Sequence, residues 1–208
     1  MGKEGTGQMA KRTSQKYDAI LEASIRVIAK YGYHRSQISE IAKEAGVAGG
    51  TIYLYFENKE DLLISIFREK IGQFVRKAKQ RLALSSCPKK QLFHIILLHL
   101  KYLEANPALA VVVQMELRQS DPHVRKEISK LMQAYLNLIE HVMEQGKLSG
   151  IFRKNLDIRL ARKMIFGTLD DLVTSWVLHQ QKYSLQEMAE PVYQMFVDGI
   201  ICERGEIA

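Results

Sequence analysis

Residues 38–59 contain two short helical patterns separated by a glycine, and this segment constrains the fold more than any other. The first pattern has an apolar face at helical spacing, formed by Ile38, Ile41, Ala42 and Ala45. Gly46 follows where a tight turn between helices needs a positive φ, and Val47 can fill the angle between the helices. The segment therefore predicts two helices that meet at a sharp turn.

The second helix of this pair turns hydroxyl-bearing side chains outward. Its inward positions are Ile52 and Phe56, and its outward positions are Thr51, Tyr53 and Tyr55. Gly49 and Gly50 open the helix, so its N-terminus can approach a phosphate backbone closely. A short exposed helix after a tight turn is typical of helix-turn-helix proteins, which read DNA in the major groove.

The run from Ile38 to Leu62 resembles the N-terminal signature of the TetR family of repressors. The matching pattern is Ile-x-x-Ile-Ala-x-x-Ala-Gly-Val-x-x-Gly-Thr-Ile-Tyr-x-Tyr-Phe-x-Asn-Lys-Glu-x-Leu, and the resemblance covers roughly the first 65 residues. Residues 114–120 and 158–168 are in addition similar to one branch of the family, the acyl-CoA-responsive regulators of fatty-acid degradation of bacilli. The resemblance implies nine helices, no sheet, and a homodimer that binds a palindromic operator.

The predicted DNA contacts follow from side-chain chemistry and from the family's matching positions. Tyr53 is the candidate for a base edge, where its ring can lie against a thymine methyl group. The alternative for Tyr53 and Tyr55 is a place in the core. The remaining candidates are a basic arm (Lys11, Arg12), phosphate contacts at two helix starts (Ser36, Gln37, Gly49, Gly50, Thr51) and backbone contacts (Tyr55, Lys59).

The whole chain predicts an all-α protein in three parts. We expect a disordered leader (1–13), a helix-turn-helix domain (14–58) and a ligand-binding and dimerisation domain (59–208). Asn58 and Asp157 are candidate N-caps. The prolines of Cys87-Pro88, Asn106-Pro107 and Asp121-Pro122 fit the first turns of helices over 88–105, 107–119 and 122–148. Helices are further expected over 14–31, 58–84, 157–182 and 184–203. A Ser184–Glu187 capping box and a bend at Pro191 are expected in the last one.

The positive charge is concentrated in residues 68–90. This segment has eight basic side chains against Glu69 alone, an excess as large as the net charge of +7 of the whole chain. Three interpretations stay open: an exposed helix face without a specific partner, a site for a phosphorylated ligand such as coenzyme A, and long-range attraction to DNA.

The C-terminal part is apolar enough to enclose a small molecule. A long-chain acyl-CoA needs an apolar interior that opens onto arginine or lysine, and Arg76 and Arg118 are the first candidates for its head group. Arg118 could equally pair with Glu116 or Asp121. The candidates for the interior are Phe74, Phe93, Leu97, Leu100, Tyr102, Leu103, Leu109, Val113, Met115, Ile165, Phe166, Leu169 and Trp176.

The last two helices have apolar stripes that are wide for one-sided burial. We expect them to form a four-helix interface between two copies of the chain. A two-fold symmetric dimer places its two DNA-reading helices, the second helix of each helix-turn-helix (the reader helix), in successive major grooves, roughly 34 Å apart. The predicted interface residues are Met164, Leu172, Val173, Val177, Val192, Met195, Phe196 and Ile200.

Several classes of function are disfavoured by what the sequence lacks. It contains no metal-binding or nucleophile motif, and Cys87 and Cys202 match no metal or redox spacing, so we expect no enzyme, cofactor or metal. It has no run of 18 apolar residues and no secretory leader, so we expect a cytoplasmic protein without a membrane partner.

The sequence thus predicts a repressor of fatty-acid degradation genes that long-chain acyl-CoA releases from its operator. The fourth helix would connect the reader to the ligand. The alternative is a regulator of the same family that responds to another apolar ligand, such as a free fatty acid or a drug, and controls an efflux or stress gene.

Overall fold

The computed structural model describes the backbone of residues 3–200 and the side chains of residues 14–199. Over this range the chain forms nine α-helices and no β-strand, which confirms the all-α prediction. The helices are α1 (Lys3–Tyr31), α2 (Ile38–Glu44), α3 (Gly49–Ile52), α4 (Lys59–Leu82), α5 (Pro88–Glu104), α6 (Pro107–Glu116), α7 (Pro122–Leu148), α8 (Ile158–Leu178) and α9 (Ala189–Ile200), with a 3₁₀ turn at Gln186–Met188 before α9.

Several helix boundaries are set by local residues, among them the predicted caps at Asn58 and Asp157 and the predicted helix end at Gly32. The side chains of Asn58, Asp121 and Asp157 accept hydrogen bonds from backbone N–H groups three residues on, at 2.8, 2.9 and 2.9 Å. Gly32 ends α1 and Gly46 ends the turn after α2, with φ of 78° and 67°. These values favour glycine at both positions.

Three helix ends differ from prediction. The α1 backbone is helical from Lys3, because no cap or proline interrupts it near residue 14 and a helix extends easily once it is nucleated. The helix thus includes most of the leader expected to be disordered. The α6 helix stops at Glu116 rather than residue 119, and α8 stops at Leu178 rather than residue 182. After α8, Gln180 and Gln181 have positive φ, which closes the helix without glycine.

The start of the last helix is capped by a different residue from the one predicted. Instead of a Ser184–Glu187 capping box, the Glu104 carboxylate at the end of α5 accepts the N–H groups of Leu185 and Gln186, at 2.9 and 3.2 Å. Pro191 lies in the first turn of α9, where a missing N–H costs nothing, so the predicted bend inside the helix is absent.

The helices form two packed groups, which meet where α1 contacts α4 and α6. In the first, α1, α2 and α3 enclose Ile20, Ile41, Ile52 and Phe56. In the second, α4 to α9 enclose a larger core. No single described helix has the length and apolarity to cross a bilayer, and α5 and α6 reach them only as a pair bent by 105°.

Candidate nucleic-acid interface and ligand cavity

The turn between α2 and α3 is fixed from both sides. At the start of α2, the backbone N–H of Gln37 donates to the Glu40 carboxylate at 3.1 Å. At its end, the N–H of Val47 returns to the Ala42 carbonyl at 3.0 Å. Ile52, with 1% of its surface exposed, attaches α3 to the core. The reader helix is therefore held at one angle to α2.

The α3 helix and the turn that follows it carry exposed groups that no described part of the chain covers. Tyr53 is 58% exposed, and Leu54, which sequence reasoning did not select, is 80% exposed. A Cβ atom added to Gly49 or Gly50 would meet no atom within 4 Å, so internal packing does not require glycine there. Exposed aromatic and aliphatic side chains, next to glycines whose backbone no side chain covers, suit contact with another molecule.

Some predicted DNA contacts are instead engaged inside the protein. Ser36 is buried and its hydroxyl donates to the Tyr33 carbonyl at 2.8 Å, which corrects its assignment as a phosphate contact. The Lys59 ammonium donates to the His34 carbonyl at 3.2 Å and lies over the Tyr33 ring, and burial lowers its pKa. Tyr55 is half-buried, with its ring centroid 6.2 Å from that of Tyr17.

The other predicted DNA contacts differ in what the structure describes. Gln37 is exposed at the start of α2, and Thr51 is half-buried on α3. Lys11 and Arg12 lie on the α1 backbone, but their side chains are outside the part of the chain whose side chains are described.

A cavity that is partly open to the surface lies between α4, α5, α6, α7 and α8. Its volume of about 60 Å³ is far below that of pockets for drug-sized ligands, which measure roughly 300–1,000 Å³. A large ligand must therefore push the helices apart. Its wall includes these predicted residues: Phe74, Tyr102, Leu103, Leu109, Val113 and Phe166.

The remaining predicted interior residues lie elsewhere. Met115 is 50% exposed, Phe93 packs against Tyr193, and Leu97 lines a surface groove between α4 and α5. The others are packed into the core, because apolar side chains fill core and cavity walls alike: Leu100, Ile165, Leu169 and Trp176. Trp176 also donates its indole N–H to the Tyr183 carbonyl at 2.8 Å.

Basic groups stand at two sides of the cavity. The Arg118 guanidinium pairs with Asp170, a cavity-lining carboxylate, rather than with Glu116 or Asp121. Arg76 is exposed on α4, and the Lys77 ammonium lies 5.1 Å from the ring centroid of Tyr102. A ligand in the cavity would therefore meet cations beside Tyr102.

Sequence reasoning missed several polar members of the wall. They are His99, Gln114 and Tyr135. Gln114 accepts the Thr174 hydroxyl at 2.7 Å, and His99 is joined to the Tyr135 hydroxyl at 2.9 Å. A polar residue inside an otherwise apolar helix face is the signal that could have selected them.

The outer faces of α8 and α9 leave an apolar groove uncovered. Met164 is 55% and Met195 78% exposed, and with Phe196 they line a groove of about 280 Å³. Leu172 and Val177 are half-buried. Val173 and Val192 point into the core and are corrected as interface residues, and the Ile200 side chain lies outside the described residues.

Two family profiles match the chain. "Bacterial regulatory proteins, tetR family" matches residues 20–66, and "YsiA-like protein, C-terminal region" matches residues 67–199. The "Fatty acid metabolism regulator protein" of Bacillus subtilis (strain 168) is 46% identical over 190 residues, which cover 91% of this chain and 98% of that protein.

Two solved structures share the fold closely. The regulator FadR of Bacillus subtilis, in complex with stearoyl-CoA, superposes with a TM-score of 0.86 at 46% identity, covering 88% of this chain and 99% of that one. The fatty acid degradation regulator FadR of Bacillus halodurans gives 0.85 at 48% identity, covering 88% and 98%. From its reader helices to its C-terminal bundle, this chain belongs to the TetR family of bacterial regulatory proteins and is a transcriptional regulator.

Proposed function

We propose that this regulator represses genes of fatty-acid degradation by binding a palindromic operator as a homodimer, and that long-chain acyl-CoA releases it. The observation that carries the effector assignment is the apolar cavity between α4 and α8, with basic side chains beside Tyr102. The complex of the Bacillus subtilis relative with stearoyl-CoA supports the same class of ligand. We further propose a cytoplasmic protein without catalytic activity, with a helix-turn-helix domain up to residue 58 and a ligand-binding and dimerisation domain from residue 59.

DNA binding in this proposal depends on the uncovered face of α3. Tyr53 reads a base edge, while Gly49, Gly50 and Thr51 allow backbone N–H and hydroxyl groups to reach phosphate. Lys11, Arg12 and Gln37 add contacts outside the groove. Tyr55 and Lys59 act from the rim, where both are partly covered by the protein.

The homodimer in this proposal forms through α8 and α9. Exposed methionines in an apolar groove are costly on an isolated chain, and a second copy would cover them. The two-fold axis then places two α3 helices on one side of the dimer, at a spacing that the operator half-sites must match.

Release follows from the small volume of the cavity. A long acyl chain does not fit into about 60 Å³, so it binds only conformations in which α4 to α8 have separated. Its preference for those conformations shifts the population away from the DNA-binding spacing. The α4 helix transmits the change, since Phe74 lines the cavity and the Asn58 cap lies beside the reader.

The test is operator binding with and without effector. An operator is first selected from random duplex DNA, and its affinity is then measured by fluorescence anisotropy at one fixed salt concentration. Stearoyl-CoA should weaken binding at least tenfold, whereas coenzyme A alone should leave it unchanged. Release by free stearate and not by stearoyl-CoA would show that the protein is the alternative kind of regulator, one that responds to another apolar ligand such as a free fatty acid.

A further inference from the structure

One of the polar side chains in the cavity wall is an imidazole. His99 on α5 is only 8% exposed and lines the cavity between the rings of Phe74 and Tyr135. Its Nδ1 lies 2.9 Å from the Tyr135 hydroxyl oxygen. Its Nε2 is buried and has no hydrogen-bond partner among the residues that the structure describes. Buried polar atoms are normally paired, so this nitrogen requires an explanation.

The strengths of the two possible hydrogen bonds decide which nitrogen carries the proton. If Nδ1–H donates to Tyr135, the Nε2 lone pair and the Tyr135 hydroxyl proton are left without a partner; if the Tyr135 hydroxyl donates to Nδ1, the Nε2–H and a lone pair of the hydroxyl oxygen are left. Both arrangements thus leave one donor and one acceptor over. The second pairs the better donor, a phenol O–H, with the better acceptor, an imidazole nitrogen, and is the more stable one. His99 therefore presents an N–H donor at the cavity.

This donor is uncharged. Burial lowers the pKa of His99 to about 4, so the ring is neutral at physiological pH. A neutral N–H suits a neutral acceptor such as a carbonyl oxygen. By itself it does not compensate the desolvation of a carboxylate, which needs a cation or several donors.

We propose that Nε2–H of His99 donates a hydrogen bond to the thioester carbonyl oxygen of the acyl-CoA effector. This inference rests on the proposed function and identifies which part of the ligand is recognised inside the cavity. The thioester carbonyl is the one acceptor oxygen that adjoins a saturated acyl chain. His99 and Tyr102 lie one helical turn apart, so a carbonyl at His99 leaves the head group on the Tyr102 side, towards Arg76 and Lys77.

The test compares two ligands that differ in this oxygen. Palmitoyl-CoA has the thioester carbonyl, and S-hexadecyl-CoA is a thioether that lacks it. Titration calorimetry on the purified full chain should give an affinity about tenfold higher for palmitoyl-CoA, the effect of one buried hydrogen bond. His99→Phe should reduce this ratio to about one, and His99→Gln should restore it, because its amide nitrogen can occupy the position of Nε2. The matched control Leu103→Ala, one turn away, should weaken both ligands alike and keep the ratio.

Each result decides between the two proposals. Equal binding of both ligands to the unaltered protein overturns the role of His99 and leaves acyl-CoA as the effector. The role of His99 is also overturned if the tenfold preference persists in His99→Phe. It is overturned too if the unaltered protein prefers 3-hydroxypalmitoyl-CoA to palmitoyl-CoA and His99→Phe removes that preference, since His99 would then bind a hydroxyl group instead. If neither ligand binds, the proposed function itself fails. Should His99→Phe not fold, His99→Leu takes its place, and a tenfold preference that persists in His99→Leu overturns the role of His99.

Discussion

The Glu116 carboxylate at the end of α6 accepts the backbone N–H of Tyr33, just after α1, at 3.4 Å. The same carboxylate accepts a hydrogen bond from the Gln119 side chain. Burial raises its pKa. A single acidic group thus joins the end of α1, in the helix-turn-helix part of the chain, to a helix whose other residues, among them Val113, line the cavity.

Glu116→Ala should loosen this junction. Loss of the acceptor leaves the Tyr33 N–H buried and unpaired, at a cost of about 1–3 kcal/mol in the free energy of unfolding, measured by urea denaturation. Operator affinity without effector should fall as well. The control Glu144→Ala removes an exposed carboxylate from α7 and should change stability by less than about 0.5 kcal/mol. Equal losses in the two variants would contradict a structural role of Glu116.

Tyr53→Ala should separate specific from nonspecific DNA binding. The side chain is 58% exposed, so the melting temperature should be unchanged. Loss of a base contact should weaken operator binding by about 1–3 kcal/mol and leave binding to random duplex DNA nearly the same. Anisotropy titrations on both duplexes measure the difference. An equal loss on the two would assign Tyr53 to the phosphate backbone.

Met195→Glu should prevent dimerisation. The variant places a charge in the apolar groove between α8 and α9, where Met195 is 78% exposed in the single chain. Sedimentation velocity should show monomers, and operator affinity should fall at least tenfold. Leu148→Glu is the matched control, since Leu148 is 81% exposed at the end of α7, and it should remain dimeric. A dimeric Met195→Glu variant would place the interface elsewhere.

Acid should destabilise the protein through His99. The pKa of the folded protein's His99 is lowered to about 4 by burial, whereas the unfolded chain titrates near 6.5. The unfolded state therefore binds more protons between these values, and stability falls as the pH falls through this window. From pH 7 to pH 5 the loss from this residue should be about 2 kcal/mol.

His99→Gln isolates this contribution, because glutamine does not titrate. The variant should lose less stability than the unaltered protein over the same pH range, as measured by urea denaturation at each pH. His94, whose pKa burial also lowers, is present in both proteins, so its contribution cancels in the comparison. Parallel stability curves would show that His99 is not buried in its neutral form.

The sequence predicts those structural features best that depend on residues close together along the chain. The caps at Asn58 and Asp157 and the turn at Gly46 involve residues within a few positions of each other, and all were predicted. The Glu104 cap on Leu185 joins residues 81 positions apart, and no local pattern indicates it. The Ser184–Glu187 pattern therefore predicted correctly that a carboxylate caps this segment, but it predicted the wrong glutamate.

The candidate sites were predicted less completely, for a related physical reason. Leu100 and Leu103 lie on one helix and have the same chemistry, yet only Leu103 reaches the cavity. Apolarity selects the interior but does not separate core from cavity wall. Ser36 likewise has the right chemistry for phosphate, and only its burial in the fold excludes it.

The link between Glu104 and the N–H groups of Leu185 and Gln186 also has a consequence for the dimer. The α5 helix lines the ligand cavity through His99, Tyr102 and Leu103, and its last residue holds the beginning of α9. A displacement of α5 by the effector would therefore tilt α9 and rotate one subunit against the other. The pairing of the two subunits, and not only the reader domains, would then change when the cavity fills.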